Sequence, residues 1–116
     1  MSYGCQREFH LNEFHTANAR RAKKDFRPEH TLLGLVACVQ EEVGELASAV
    51  LGVVGEKERK AHLTKADALD AVADAMTYLS LVATKLGCDD LETLLGETFN
   101  MVSDRVGSSI KVGVDS

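Results

Sequence analysis

Two long stretches of this chain lack any cation. Neither Lys nor Arg occurs from His30 to Gly55, nor between Lys65 and Lys85, although both stretches carry several acids. Like charges at helical neighbour spacing cost about 0.2–0.5 kcal/mol per pair, so the compensating charge must come from elsewhere. Cysteine is scarce and unpaired. Cys5, Cys38 and Cys88 are odd in number and widely spaced, which excludes a disulfide framework or a zinc knuckle and fits a reducing cytoplasm. The longest apolar run, near Ala47 to Gly55, falls far short of the ~20 residues that span a bilayer. The N-terminus Met1-Ser2-Tyr3-Gly4 has no basic-then-apolar leader, so a cytoplasmic protein with no membrane partner is expected.

Several catalytic signatures are also missing. There is no Gly-x-Ser-x-Gly elbow, P-loop or dinucleotide fingerprint. His10, His15, His30 and His62 are scattered without pairing, and no His-Asp dipeptide occurs; these histidines read as surface or packing residues. Nucleophilic catalysis by a side chain is therefore unsupported. A net charge of −5 argues against a nucleic acid polymer as partner, because phosphate-backbone binding needs a basic surface.

What remains is helical. The 116 residues suit a single domain near the size at which oligomerisation often completes burial. Helices are expected over about Glu8 to Lys24, Pro28 to Leu51, Lys65 to Leu86, and a fourth capped by Asp89 and ended by Gly107. Pro28, the only proline, suits the first turn of the second helix. Thr64 and Asp67 have the spacing of a capping box. Residues 1–7 read as a loose lead, and the alternation of Ile110, Val112 and Val114 predicts a strand-like arm over 108–116. Short connections between long helices imply an antiparallel all-α bundle. On the second helix Leu32, Val36, Val39, Val43, Leu46 and Val50 form the expected packing side; on the third, Leu69, Val72, Met76, Leu79, Ala83 and Leu86 do, with Tyr78 and Leu81 opposite. A helix apolar on more than one side is usually covered on more than one side, so a second subunit is expected.

The acids form two groups. Glu41, Glu42 and Glu45 share one arc of the second helix, and Asp67, Asp70 and Asp74 form a ladder on the third. Bundle sites are built from side chains on facing helices, so the two groups together can make a cage of carboxylate oxygens. Such a cage selects hard cations. Mg²⁺ is typically held by one or two carboxylates plus substrate phosphates, with Mn²⁺ as its substitute. A di-iron bundle needs histidine three residues after glutamate, where this chain has Gly44, Glu45 and Ser48.

Glu41-Glu42-Val43-Gly44-Glu45-Leu46, followed by Asp70-Ala71-Val72-Ala73-Asp74 and the run from Tyr78-Leu79 to Leu86-Gly87, resembles the MazG-like nucleoside triphosphate pyrophosphohydrolases. The likeness extends from about Phe14 through Asn100 and Arg105. That family's signature is Glu-Glu-x-x-Glu and, one helix later, Glu-x-x-Asp; this chain has Ala71 in place of the second motif's glutamate. The resemblance implies Mg²⁺-dependent hydrolysis of a nucleoside triphosphate between its α and β phosphates, in a homodimer or dimer of dimers. It carries over Glu42, Glu45 and Asp74 as metal ligands, Asp70 as stand-in for the absent glutamate, and Glu41 as a further ligand or the base orienting the attacking water. Basic residues such as Arg21, Lys57, Arg59, Lys60, Lys65 and Arg105 are candidates for phosphate contacts, and Asn18 and Asn100 for a base edge. Related dUTP hydrolases and phosphoribosyl-ATP pyrophosphohydrolases share that helical core, so the substrate stays open. The departure at Ala71 keeps a second possibility: a catalytically weakened module that binds nucleotide or protein.

Overall fold

A computed structural model of the chain describes residues 7–25, 31–55 and 62–114. Four α-helices account for most of them: α1 (Leu11–Asp25), α2 (Leu32–Val53), α3 (Lys65–Lys85) and α4 (Leu91–Val106). The expected boundaries hold within a few residues, and the all-α architecture is as the spacing predicts. The expected start of the second helix at Pro28 lies outside the described residues. Within them, Thr31 is the N-cap, its hydroxyl accepting the Gly34 N–H at 3.0 Å.

Local chemistry explains the ends. Thr64 and Asp67 make the predicted capping box: the Thr64 N–H donates to Asp67 Oδ2 at 2.7 Å and the Asp67 N–H to Thr64 Oγ1 at 3.3 Å. At the far end of α3, Gly87 turns with φ +90° while the Cys88 N–H bonds back to the Ala83 carbonyl, a closure that needs a left-handed residue and so suits glycine. The cap of α4 differs by one position from the sequence expectation. Asp90, not Asp89, accepts the Thr93 N–H and hydroxyl. Glu92 reaches instead to the Asn12 N–H, and the Asn12 side chain bonds both Asp90 and the Glu92 N–H, so the starts of α1 and α4 cap one another.

The packing order is α2 on α3, α1 on α3, and α4 against α1. Small residues make the α2–α3 seam close. Among the described residues, Leu35 and Ala49 on α2 and Ala71, Ala75 and Leu81 on α3 are the buried apolar ones. Two polar pairs tie α1 to α3: His15 to Ser80 at 2.6 Å and the Asn18 side-chain N–H to the Thr77 carbonyl at 2.8 Å. Because His15 Nε2 also meets the Cys88 carbonyl at 2.7 Å, Nε2 carries the proton and Nδ1 accepts from the Ser80 hydroxyl.

This arrangement corrects the faces read from the sequence. The side of α2 turned into the seam runs through Leu35, Cys38, Glu42 and Ala49; of the expected packing side Val39 and Leu46 are half-buried, while Leu32, Val36, Val43 and Val50 lie exposed. On α3 the seam takes Ala71, Ala75 and Leu81, the last only 7% exposed, and leaves the expected packing side open, with Leu69 at 68% and Met76 at 53%. On α4, Leu94, Leu95, Val102 and Val106 are likewise open. Size agrees. The radius of gyration is 17.0 Å, against about 13 Å for a compact chain of this length. The accessible surface is 9022 Å², about 2,800 Å² more than a compact monomer of this mass presents.

In place of the expected strand-like arm, residues 108–114 form no strand and bend at 112–114, while 115 and 116 lie outside the described residues. They are held by Asn100, whose amide takes both the Val112 N–H and the Val112 carbonyl at 2.9 Å.

Candidate metal and phosphate site

Since the seam between α2 and α3 is narrow where alanines face one another, it opens where the long acids stand. A cleft of about 610 Å³ is lined from α2 by Glu41, Gly44, Glu45 and Ser48, and from α3 by Asp67, Asp70, Ala71 and Asp74. His62 and Leu63, just before α3, also line it.

Glu42 lies in the seam beside this cleft. Its Oε2 is buried and has no hydrogen-bond partner. A buried carboxylate oxygen without a donor is costly, and its surroundings aggravate the cost. Burial above all pushes the Glu42 carboxyl above the usual carboxylate range, and Glu45, Asp74 and Glu41 push it in the same direction. Tyr78 senses the same charges: its phenol is pushed up by burial first, then by Cys38, Glu42, Asp74 and Glu41. Among the described residues the ion pairs are Arg7–Glu13 and Lys111–Asp104, and neither touches this group.

The comparisons add no relative. Set against family models, curated proteins and solved structures, the chain finds no match.

The structure therefore brings Glu41, Glu45, Asp70 and Asp74 to one cleft with Glu42 at its side. Asp67 also reaches it, though its carboxylate is held below the usual range by the Thr64 backbone and side-chain bonds of the cap. Ala71, where the resembled family has glutamate, is 4% exposed and part of the seam. The donor set is all oxygen apart from His62, and the orphaned Glu42 Oε2 suits a hard cation. No group of three His, Cys, Asp or Glu among the described residues is assembled to hold an ion, so filling the cleft would require these side chains to turn inward.

The other candidates stand apart from the cleft walls. Asn18 is 3% exposed and committed to Thr77, with Arg21 3.4 Å from its carbonyl oxygen. Asn100 holds the arm. Lys65 opens α3 and Arg105 lies in the last turn of α4, both exposed. Lys57, Arg59 and Lys60 lie outside the described residues. Neither Tyr78 nor His62 is among the site residues expected from the sequence, although Tyr78 stands four positions after Asp74 on α3 and so shares its arc. The folding of α3 onto α2 adds Glu41 and Glu42 to the charges around Tyr78 and sets His62 in the lining of the cleft.

Proposed function

We propose that the chain is a Mg²⁺-dependent nucleoside triphosphate pyrophosphohydrolase, with the α2–α3 cleft as its site. The observation that carries this reading is the buried, unpartnered Glu42 Oε2 among Glu41, Glu45 and Asp74, with no ion-paired cation beside them among the described residues. Glu42, Glu45 and Asp74 would hold the ion, with Asp70 at the edge of the cleft as a further ligand. The ion supplies neutralisation of the phosphate charge and a more acidic attacking water. A polyanion enters an acidic cleft only with such compensation.

In the reaction, water adds to phosphorus, the bond between the α and β phosphates breaks, and nucleoside monophosphate and pyrophosphate leave. Glu41, exposed on the wall of the cleft, would orient that water and take its proton. A homo-oligomer is part of the proposal, because the open stripes of α2, α3 and α4 leave more apolar surface than a single chain can cover. Obligate homodimer interfaces are of this extent and apolar character.

Two observations favour a second reading, nucleotide binding without turnover: Ala71 stands in the seam, and among the described residues no three ligands are assembled. Release of pyrophosphate from a panel of nucleoside triphosphates, with and without Mg²⁺, separates the two. Metal-dependent release supports the enzyme; nucleotide-dependent stabilisation without release supports the binding module.

A further inference from the structure

A second cavity lies at the other end of the α2–α3 pair, where α1 crosses it. Its volume is about 580 Å³, within the range of about 300–1,000 Å³ typical of small-molecule sites. Ala19 and Ala22 of α1, Leu35 of α2 and Leu81 of α3 form aliphatic walls. Of the polar lining, His15 and Thr84 are already engaged, while Thr16 also lines the cavity. His15 uses both ring nitrogens, on Ser80 and on the Cys88 carbonyl, and the Thr84 hydroxyl donates to the Ser80 carbonyl.

Around these walls stand three cations, Arg20 and Lys23 one turn apart on α1 and Lys85 on α3, against one acid, Asp89. None of the three cations has an ion-pair partner among the described residues, whose ion pairs involve Arg7 and Lys111. In a chain of net charge −5, such a local excess of positive charge over an apolar recess needs an explanation. Phosphate alone would gain nothing from the aliphatic walls, which are the larger part of the lining.

We propose that this cavity binds an aliphatic anion, with its hydrocarbon tail between Ala19, Ala22, Leu35 and Leu81 and its carboxylate or phosphate head at Arg20, Lys23 and Lys85. Burial of each methylene and attraction at the rim act on different parts of one ligand. The site is separate from the acidic cleft and does not rest on the function proposed there.

The test is calorimetric titration of the full chain, in Mg²⁺-free buffer, with decanoate, decyl phosphate, decanol and inorganic phosphate. Decanoate and decyl phosphate should bind saturably at one site per chain, the stronger of them marking the natural head group, and both more tightly than decanol or phosphate. The double variant Lys23→Glu/Lys85→Glu should weaken decanoate binding about tenfold, in keeping with two lost rim attractions. Ala22→Phe, which fills the recess, should weaken it as well, and Lys24→Glu, next to the rim but off the cavity, should bind as wild type. Circular dichroism establishes that each variant is folded, and Ala22→Phe serves if the double variant is not. Decanol binding as tightly as decanoate, phosphate as tightly as decyl phosphate, or folded variants within twofold of wild type would overturn the proposal.

Discussion

Asn100 grips Val112 by both edges of its amide, Nδ2 donating to the Val112 carbonyl and Oδ1 accepting the Val112 N–H, each at 2.9 Å. The side chain thus completes a backbone that has no strand to pair with, and it is unavailable to a nucleotide while it does so. Asn100→Ala should release the arm and destabilise the chain by about 1–3 kcal/mol, two ordinary hydrogen bonds. Hydrogen exchange at the Val112 amide should accelerate, with the nucleotide KM unchanged. A raised KM with Val112 still protected would instead give Asn100 a role in base recognition.

Glu42→Gln removes one charge from beside Glu41, Glu45 and Asp74. The metal-free variant is expected to melt higher than wild type, and millimolar Mg²⁺, which should stabilise wild type, should no longer do so. An ion present at a hundred times its dissociation constant stabilises by about 2.7 kcal/mol, readily seen in a thermal scan. A wild-type midpoint indifferent to Mg²⁺, with or without nucleotide, would count against the cleft as a metal site.

At Asp70, Ala71 and Asp74 the expected order of effects tests the departure from the family signature. Asp74→Asn should lower turnover by about 10²–10³-fold, as loss of one preorganised electrostatic group does, and Asp70→Asn should approach it if Asp70 acts for the absent glutamate. Asp70→Asn within a fewfold of wild type would leave a three-carboxylate site. Ala71→Glu forces a larger side chain into the seam and should cost about 1–3 kcal/mol by overpacking. Higher turnover in that variant would identify the natural chain as a weakened enzyme.

Acid should expose the α1–α4 junction. The Asp90 carboxyl is held at about 2 by the Asn12 side chain first and then by the Thr93 N–H and hydroxyl. A folded value below the ordinary 3.8 means that the ionised form is the one favoured by folding. Its contribution is complete above about pH 4 and is lost as pH falls through 2. Carboxyl chemical shifts followed from pH 5 to 1.5 should show this midpoint, and Asn12→Ala should raise it.

Met76 and Val43 test the assembly. Both are about half exposed in one chain and lie on stripes with no cover. Sedimentation should give a species heavier than the 12.6 kDa chain, and Met76→Glu should shift it towards monomer. A wild-type monomer at micromolar concentration would refute the oligomer.

Element types and ends were legible in the sequence because they rest on local chemistry. Gly87 and Gly107 stop helices wherever those helices pack, and Thr64 caps α3 through a residue three positions away. The acids were legible for the same reason: a turn of helix is enough to set Glu41, Glu42 and Glu45 together. Which face of a helix meets which neighbour is a different matter, since periodicity gives the angle between residues on one helix and nothing about rotation relative to another. The widest apolar stripes of α2 and α3 looked like the packing faces, yet Ala49, Ala71 and Ala75 allow closer approach. The tertiary structure turned that narrow, small-residue side inward, carrying Glu42 into the seam and leaving Val43, Leu69 and Met76 in water. Tyr78 came beside Glu42 and His62 into the lining of the cleft, and the aliphatic cavity under Arg20, Lys23 and Lys85 appeared, through the same choice. Sequence fixes what each turn of helix presents, whereas only the competition between close backbone approach and burial of large side chains, decided across helices far apart in the chain, settles what faces what.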